Sequence, residues 1–438
     1  MDINFYLIFK DEVLSSQKNF SYYLKFYWPL TLMGLTMIAA RQFQNGILAR
    51  YPDAIQQIAI FAIASSIFNF FSSSFAFIPQ TANVLVNGKA DSRLVQKCIL
   101  CIAVTEFLLL MCIIFTPWGN QLLAFLFNLD LKNLSKVIYY LMTLTPLLFI
   151  QSFNQYFTGL LIKFEKTGLV TLLNSLYLSF MISGILLGYY FQLPIVLTLV
   201  GSQVLAKTIQ FLITLLGFRK YNKLIDQDKT EHTLLKVWAF FWPVALTSTM
   251  FSFSRPILYA FVSRMPESAP IIAALRLGFD FSMIFQNMIN QFRHLFITYA
   301  KDDLDGVISF MIKCTFIITV LMVTVIGSQG LYGILVYVIN VPPAVALNTV
   351  EVCWVLCIVP VIIGTRNYFH GQSMLNQTTK IMGFGGICRV IATSLCALIL
   401  IDSGNLNHVS ASFSLVLGFA VEAIFNAAGY FIKKKSTS

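Results

Sequence analysis

The sequence predicts an all-α membrane protein with twelve transmembrane helices in two pseudo-symmetric six-helix lobes, and three observations carry this prediction. The chain of 438 residues is 57% hydrophobic and only 11% charged, whereas a soluble domain carries about 25% charged residues. Long apolar segments follow one another with short polar gaps, and the second half of the chain repeats the first. This composition excludes soluble enzymes, disordered chains, collagens and small disulfide scaffolds.

The apolar segments have the length and pattern of membrane-spanning helices. A span needs about 20 apolar residues, and segments such as 107–115 and 311–326 lack the alternation of a membrane β-strand. The predicted spans are residues 24–49, 54–86, 94–116, 134–160, 165–189, 193–217, 237–262, 268–299, 307–327, 345–374, 378–401 and 407–432. The resulting organisation is an amphipathic N-terminal segment (1–23), an N-lobe (24–217), a linker (218–236), a C-lobe (237–432) and a basic tail (433–438).

The distribution of lysine and arginine predicts that both termini are cytoplasmic. With that orientation, eighteen basic residues lie in or next to cytoplasmic segments, five of them between residues 219 and 236, and only four lie in outside loops. Such a bias is the usual signature of topology in multi-pass proteins. We therefore expect a multi-pass protein of the plasma membrane or an inner membrane.

The two lobes are related by an internal repeat. Phe26-Tyr27-Trp28-Pro29 aligns with Phe240-Phe241-Trp242-Pro243 at an offset of 214 residues. The same offset relates Arg41 to Arg255, Arg50 to Arg264, and Asp53 to Glu267, and after a two-residue slip residues 154–159 align with 366–371. Because six spans is an even number, corresponding spans run in the same direction through the membrane. Two such lobes facing each other across a central cleft are typical of transporters.

Catalytic and cofactor-binding patterns do not occur in the sequence. It contains no GxxxxGK[ST], GxSxG or HExxH motif, and its four histidines are widely separated. The net charge of +11 is explained by membrane topology and contact with anionic lipid. We expect no enzyme activity, no cofactor, no metal and no nucleic-acid partner, and a monomer in the lipid bilayer.

Six basic side chains fall deep within predicted spans. They are Arg41, Lys207, Arg255, Arg276, Arg366 and Arg389. Each would cost about 2.5–3.5 kcal/mol if it faced lipid, so each must face a carboxylate or a wet cavity.

Only three acids lie at comparable depth, namely Glu106, Asp280 and Glu422. Asp280 follows Arg276 by four residues, so the two share a helix face. We predict the pairs Arg276–Asp280, Glu106–Lys207 and Glu422–Arg389, either as structural ion pairs or as carriers of a coupling proton. Arg41, Arg255 and Arg366 are then left without a partner.

Unpaired arginines in a cleft predict an anionic ligand, since guanidinium is always charged and matches carboxylate and phosphate oxygens. The predicted substrate-binding set contains arginines and nearby polar side chains: Arg41, Arg255, Arg366, Arg276, Arg389, Gln44, Asn154, Asn367 and His370. The polar members have a second interpretation, because amide side chains also bridge membrane helices.

Several motifs resemble the progressive ankylosis protein family. They include Phe241-Trp242-Pro243-Val244, Ser254-Arg255-Pro256, Val86-Asn87-Gly88-Lys89, and Gly418-Phe419 with Glu422. The resemblance implies membership of the multidrug/oligosaccharidyl-lipid/polysaccharide exporter superfamily, a two-lobe fold and alternating access. It also implies efflux of pyrophosphate, ATP and other nucleotides, citrate or related carboxylates.

The sequence therefore predicts an exporter of small multivalent anions. A flippase for a lipid-linked sugar pyrophosphate would also need a basic cleft, but with a lateral opening and a groove for the lipid tail. A cation or drug antiporter would need unpaired acids. A membrane scaffold or receptor would tolerate neutralisation of the buried arginines without a change in flux.

Overall fold

The computed structural model describes residues 20–164, 166–222, 224, 233–375 and 380–437, and its regular elements are helices. The all-α fold class is confirmed. The predicted N-terminal segment 1–23 lies almost entirely outside the described residues, as does most of the linker between residues 223 and 232.

Within the described residues, the N-lobe has nine α-helices. They are α1 (Phe20–Leu48), α2 (Ala54–Ser72), α3 (Ile78–Leu85), α4 (Lys89–Phe115), α5 (Pro117–Phe127), α6 (Leu131–Leu144), α7 (Pro146–Lys163), α8 (Thr167–Tyr190) and α9 (Ser202–Tyr221). A 3-10 turn (Ser73–Phe77) joins α2 to α3, and a π-helical turn (Leu197–Gly201) precedes α9.

The C-lobe repeats this order. Its helices are α10 (Leu234–Val262), α11 (Ser268–Asn290), α12 (Phe292–Tyr299), α13 (Leu304–Gly327), α14 (Gly330–Gly333), α15 (Pro343–Leu356), α16 (Val359–Leu375), α17 (Lys380–Asp402) and α18 (His408–Thr437). A π-helical turn (Ile334–Val338) follows α14. The last helix continues five residues past the predicted end of its span.

Each of the twelve predicted spans has a helical counterpart. Ten of them are long and apolar enough to cross a membrane, and the other two, α1 and α10, are each 29 residues long. Two short helical segments were not predicted: α5 and the stretch from α14 through Ile334–Val338. At 11 residues, α5 is too short to span a bilayer, and its Pro117-Trp118-Gly119 start has the composition of a turn.

The backbone follows the 214-residue repeat. Asp53 and Glu267 precede α2 and α11 at equivalent positions, and both adopt the left-handed conformation, with φ of 55° and 53°. Few residues other than glycine adopt this region, so the same rare turn at the same repeat position supports the alignment. The unpredicted segments at 117–127 and 330–338 are also repeat equivalents.

The two lobes meet through α1 and α2 of the N-lobe and α10 and α11 of the C-lobe. At one end, Arg50 donates to the carbonyls of Val338 (2.9 Å) and Ile339 (3.5 Å). Its repeat equivalent Arg264 donates to Phe125 (3.3 Å) and Leu126 (3.4 Å). Each arginine thus binds the carboxyl end of a short helix in the opposite lobe, where unsatisfied carbonyls attract a cation. We call these contacts the arginine latch.

The opposite end of the interface has different contacts. The hydroxyl of Tyr23 donates to the Asp303 carboxylate (2.5 Å), and that of Tyr27 donates to the carbonyl of Met288 (2.9 Å). Their repeat equivalents, Val237 and Phe241, are apolar and line a small crevice against α3 and α4. The lobes are therefore joined at both ends of the interface, symmetrically at the arginine latch and asymmetrically at the other end.

The orientation of the bundle remains a prediction that labelling can test. In a variant without the eight native cysteines, a single cysteine at position 220 should react only with a reagent on the cytoplasmic side, because the linker region carries more of the basic residues than any other predicted cytoplasmic segment. A single cysteine at position 132, in a predicted outside loop, is the matched control. Labelling of position 220 from the outside alone would contradict the topology.

Candidate functional site

A cavity of about 390 Å³ lies between the two lobes. Its walls come from α1, α2, α7, α8 and α9 of the N-lobe and from α10 and α11 of the C-lobe. The lining is mostly polar and includes serines and amides, among them Gln44, Ser65, Ser66, Asn69, Ser72, Ser73, Gln151, Gln155, Gln203, Ser248 and Ser252. A polar chamber of this kind, enclosed by otherwise apolar helices, is wet and accessible to a hydrophilic ligand.

The cavity is strongly positive. Among the described residues, four basic side chains line it, namely Arg41, Lys207, Arg255 and Arg276, and Asp280 is the only acid that does so. With all five ionised, the formal charge of the lining is +3. Low-dielectric walls concentrate such a field and raise the local concentration of anions.

Asp280 organises one side of the cavity. Its carboxylate oxygens contact Arg255 Nη1 at 3.2 Å and Arg276 Nη2 at 3.9 Å, and one of them accepts from Asn45 Nδ2 at 3.2 Å. Arg276 also donates to the side chains of Asn45 (3.0 Å) and Ser65 (2.9 Å). The predicted Arg276–Asp280 pair is confirmed, whereas the expectation that Arg255 lacks a partner is wrong. This network connects α10 and α11 to α1 and α2.

Arg41 and Lys207 are the free cations of the cavity. Arg41 is exposed although protein surrounds it, since its side chain reaches into the cavity, and it has no hydrogen bond or ion pair with any residue that the structure describes. Lys207 donates to Gln210 (2.7 Å) and lies 4.6 Å from the ring centroid of Tyr177. Neither has a carboxylate partner among the described residues, so both are available to a ligand.

The predicted Glu106–Lys207 pair is wrong. Glu106 accepts a hydrogen bond from Ser74 (2.5 Å), and its second carboxylate oxygen has no partner among the described residues. The prediction failed because α4 and α9, which carry these two groups, do not bring them together. As a result, Lys207 is absent from the predicted substrate-binding set, although it lines the cavity.

A second charged cluster lies within the C-lobe. Glu422 contacts Arg389 at 2.8 Å, Arg366 at 3.4 Å and His370 at 3.9 Å, which confirms the predicted Glu422–Arg389 pair. Arg366 also donates to Asn290 (3.0 Å), and Asn367 donates to the carbonyl of Ile289 (2.9 Å). We call this set the C-lobe cluster.

The predicted binding residues therefore divide into two groups. Arg41, Gln44, Arg255 and Arg276 line the central cavity, whereas Arg366, Arg389, Asn367 and His370 belong to the C-lobe cluster and do not line it. The expectation that Arg366 is unpaired is wrong, because Glu422 serves two arginines. Asn154 is buried outside the cavity lining, and its neighbour Gln155 takes the lining position. Whether these residues bind substrate remains a prediction.

Sequence reasoning missed the aromatic part of the site. Tyr177 and Tyr259 line the cavity beside the basic groups. Both stand in apolar segments, where a tyrosine is ordinarily a helix-packing residue. The repeat could have indicated Tyr259, because this residue is equivalent to Asn45. Asn45 donates a hydrogen bond to Asp280 beside the cavity.

Comparison with known structures defines the class of the fold. The chain superposes on an inward-facing multidrug resistance MATE family transporter of the MOP superfamily with a TM-score of 0.67 and 14% identity, covering 93% of this chain and 96% of that one. For the lipid II flippase MurJ in an inward closed conformation the TM-score is 0.70 with 13% identity, covering 94% and 87%.

A third similar structure comes from Pyrococcus furiosus, a MOP superfamily transporter described as having a binding pocket of reverse polarity. Its TM-score is 0.61 with 13% identity, and the match covers 95% of this chain and 96% of that one. These matches define the class of the fold, a multi-pass helical membrane fold of the kind found in MOP superfamily transporters. Within that class, the chain belongs to the progressive ankylosis protein family, whose model matches residues 11–274, more than half of its length.

Proposed function

We propose that this protein is an alternating-access exporter of small multivalent anions, which bind in the central cavity. One observation carries the proposal: four basic side chains and one carboxylate line a chamber of about 390 Å³. Each intramembrane cation would cost about 2.5–3.5 kcal/mol against lipid, so a surplus of three is explained by a ligand that supplies negative charge. Buried ionisable groups in membrane proteins generally mark the substrate path.

The free cations define the part of the cavity that binds the anion. Arg41 offers a planar fork for two oxygens of a phosphate or carboxylate, and Lys207 supplies a second, mobile charge. Both belong to the N-lobe, and Gln203 of the same lobe also lines the cavity. The positive charges of Arg255 and Arg276, on the C-lobe, also attract the anion, although both side chains contact Asp280 directly.

The candidate substrates share this chemistry. Pyrophosphate, nucleotides such as ATP, and citrate each carry at least two negative groups that Arg41 and Lys207 can bind together. The cavity volume falls within the range of about 300–1,000 Å³ that is usual for small-molecule sites. The same site in a plasma or inner membrane would export such anions from the cytoplasm.

Purified protein in proteoliposomes should transport at least one of pyrophosphate, ATP and citrate, and the apparent affinity should weaken as salt rises, because screening reduces the attraction. A Lys313→Gln variant is the matched control, since Lys313 is exposed and does not line the cavity. Binding of organic cations without any response to these anions would contradict the proposal. Translocation of a lipid-linked sugar pyrophosphate without flux of free anions would favour the flippase interpretation instead.

A further inference from the structure

The C-lobe cluster carries more positive charge than its carboxylate balances. Arg366 and Arg389 share the single acid Glu422, and their side chains are 5% and 1% exposed. The cluster is therefore a buried region with a formal charge of +1. Burial of an uncompensated charge is costly unless a counter-charge is bound.

Hydrogen-bonding atoms of the cluster lack partners. Six polar atoms in or next to it are buried without any hydrogen bond among the described residues: Arg366 Nε, His370 Nδ1, Arg389 Nε, Arg389 Nη2, Thr393 Oγ1 and Asn426 Oδ1. Leaving such a group unpaired destabilises the folded protein. These unpaired atoms lie on Arg366, His370, Arg389, Thr393 and Asn426, and a ligand that supplies hydrogen-bond partners would satisfy them.

Most of these atoms are donors. The amide nitrogen of Asn426 is identified by its bond to the carbonyl of Glu422 (2.8 Å), and it also contacts His370 Nε2 (3.2 Å). It therefore donates to Nε2, which places the histidine proton on Nδ1. The three arginine atoms, His370 Nδ1 and the Thr393 hydroxyl can all donate, which leaves Asn426 Oδ1 as the one obligate acceptor. A set of unpaired donors with net positive charge fits an anion.

The internal repeat relates this cluster to the free cation of the central cavity. Tyr177, Lys207 and Gln210 lie 212 residues before Arg389, Phe419 and Glu422. Lys207 stacks on Tyr177 and bonds to Gln210 at 2.7 Å. In the C-lobe, Arg389 stacks on Phe419 at 5.5 Å and bonds to Glu422 at 2.8 Å. Each lobe thus holds one cation against an aromatic ring. In the N-lobe the ring lies on α8 and the cation on α9, whereas in the C-lobe the cation lies on α17 and the ring on α18.

One aromatic side chain contacts both sites. Phe251 lines the central cavity, and its ring centroid lies 4.8 Å from the guanidinium carbon of Arg389. Its ring also contacts Phe419, with centroids 6.0 Å apart.

We propose that the C-lobe cluster is a second anion site, built for a small divalent oxyanion, such as sulfate or a phosphate group, that enters from the central cavity past Phe251. The proposal rests on the proposed function, because the central cavity must supply the anion. Arg366, Arg389, His370 and Thr393 donate to the oxyanion, and Glu422 holds the two arginines in place.

Selenate provides a direct test, because selenium is located by its anomalous scattering. Crystals of the full chain soaked in selenate should give one peak beside Arg41 and Lys207 and a second beside Arg389. A central peak without the second would overturn this inference while leaving the proposed function intact. The absence of a central peak would contradict the proposed function.

A binding experiment separates the two sites in solution. Labelled sulfate should bind to two classes of site, and Thr393→Val should weaken one class about fivefold to tenfold through loss of one hydrogen bond. Thr349→Val is the matched control, since Thr349 is equally buried and bonds only to the carbonyl of Val345. Equal binding by Thr393→Val and the control would overturn the inference.

Neutralising the carboxylate should have the opposite effect. Glu422→Gln removes the charge that competes with the oxyanion, so sulfate should raise the melting temperature of this variant more than that of the unchanged protein. An equal or smaller rise would overturn the inference.

Discussion

Arg41→Gln should reduce anion transport at least tenfold while the yield and melting temperature of the purified protein stay near those of the unchanged chain. Arg41 is exposed within the cavity and has no partner among the described residues, so its removal breaks no internal contact. Loss of one charge-assisted bidentate contact to an anion accounts for an effect of this size. The measurement is efflux of pyrophosphate or citrate from proteoliposomes, normalised to monodisperse protein.

Arg255→Gln should have a different profile, although the repeat makes Arg255 the equivalent of Arg41. Arg255 holds Asp280 at 3.2 Å, and its loss leaves the carboxylate with a weaker contact to Arg276. We expect a decrease in stability of about 1.5–3 kcal/mol, the value of a hydrogen bond to a charged group. Transport per folded molecule should fall less than in Arg41→Gln.

Two further variants control this comparison. Arg41→Lys should restore transport only in part, because an ammonium group lacks the planar fork. Lys207→Gln should lower transport and also lower stability, because Lys207 bonds to Gln210 and stacks on Tyr177. Full normalised transport in an Arg41→Gln, Lys207→Gln double variant would rule out the assignment of the free cations. Equal instability of Arg41→Gln and Arg255→Gln would indicate that both arginines are structural.

The sequence was sufficient for the architecture and for part of the charge network. Length and hydropathy predict each of the twelve spans because the bilayer dictates both properties. The Arg276–Asp280 pair follows from helix periodicity alone. By contrast, Arg41 and Arg255 look alike in the alignment, and only the contact of Asp280 with Arg255 within the C-lobe makes Arg255 paired while Arg41 stays free.

The division of the site into two groups could not be predicted from depth along the spans. Arg366 and Arg389 lie as deep as Arg41, but the depth of a residue does not say whether its helix face points to the central cavity or to a neighbouring helix of the same lobe. The equivalence of Lys207 and Phe419, 212 residues apart, could not be predicted from the sequence either. The position that holds the cation in the N-lobe holds the aromatic ring in the C-lobe. A search for identical residues cannot detect such an exchange.

Removal of the arginine latch should open the cavity at that end. Arg50 and Arg264 each bind carbonyls at the carboxyl end of a short helix in the opposite lobe, whereas the other end of the interface depends on Tyr23 and Tyr27. Alternating access requires the contacts at one end to break while those at the other hold. The two arginines, at equivalent positions of the repeat, are therefore expected to hold this end closed.

We expect an Arg50→Ala, Arg264→Ala double variant to favour the state that is open at the latch by about thirtyfold. Because both side chains are exposed, each arginine contributes only about 1 kcal/mol to the closed state. Loss of both contributions changes the equilibrium between the two states by about thirtyfold. Spin labels at Trp118 and Tyr337, which are 84% and 82% exposed and lie in opposite lobes, should report a longer distance. Each single variant should give about a fivefold shift, and Tyr23→Phe should move the equilibrium in the other direction. An unchanged distance distribution in the double variant would show that the arginines do not hold this end closed.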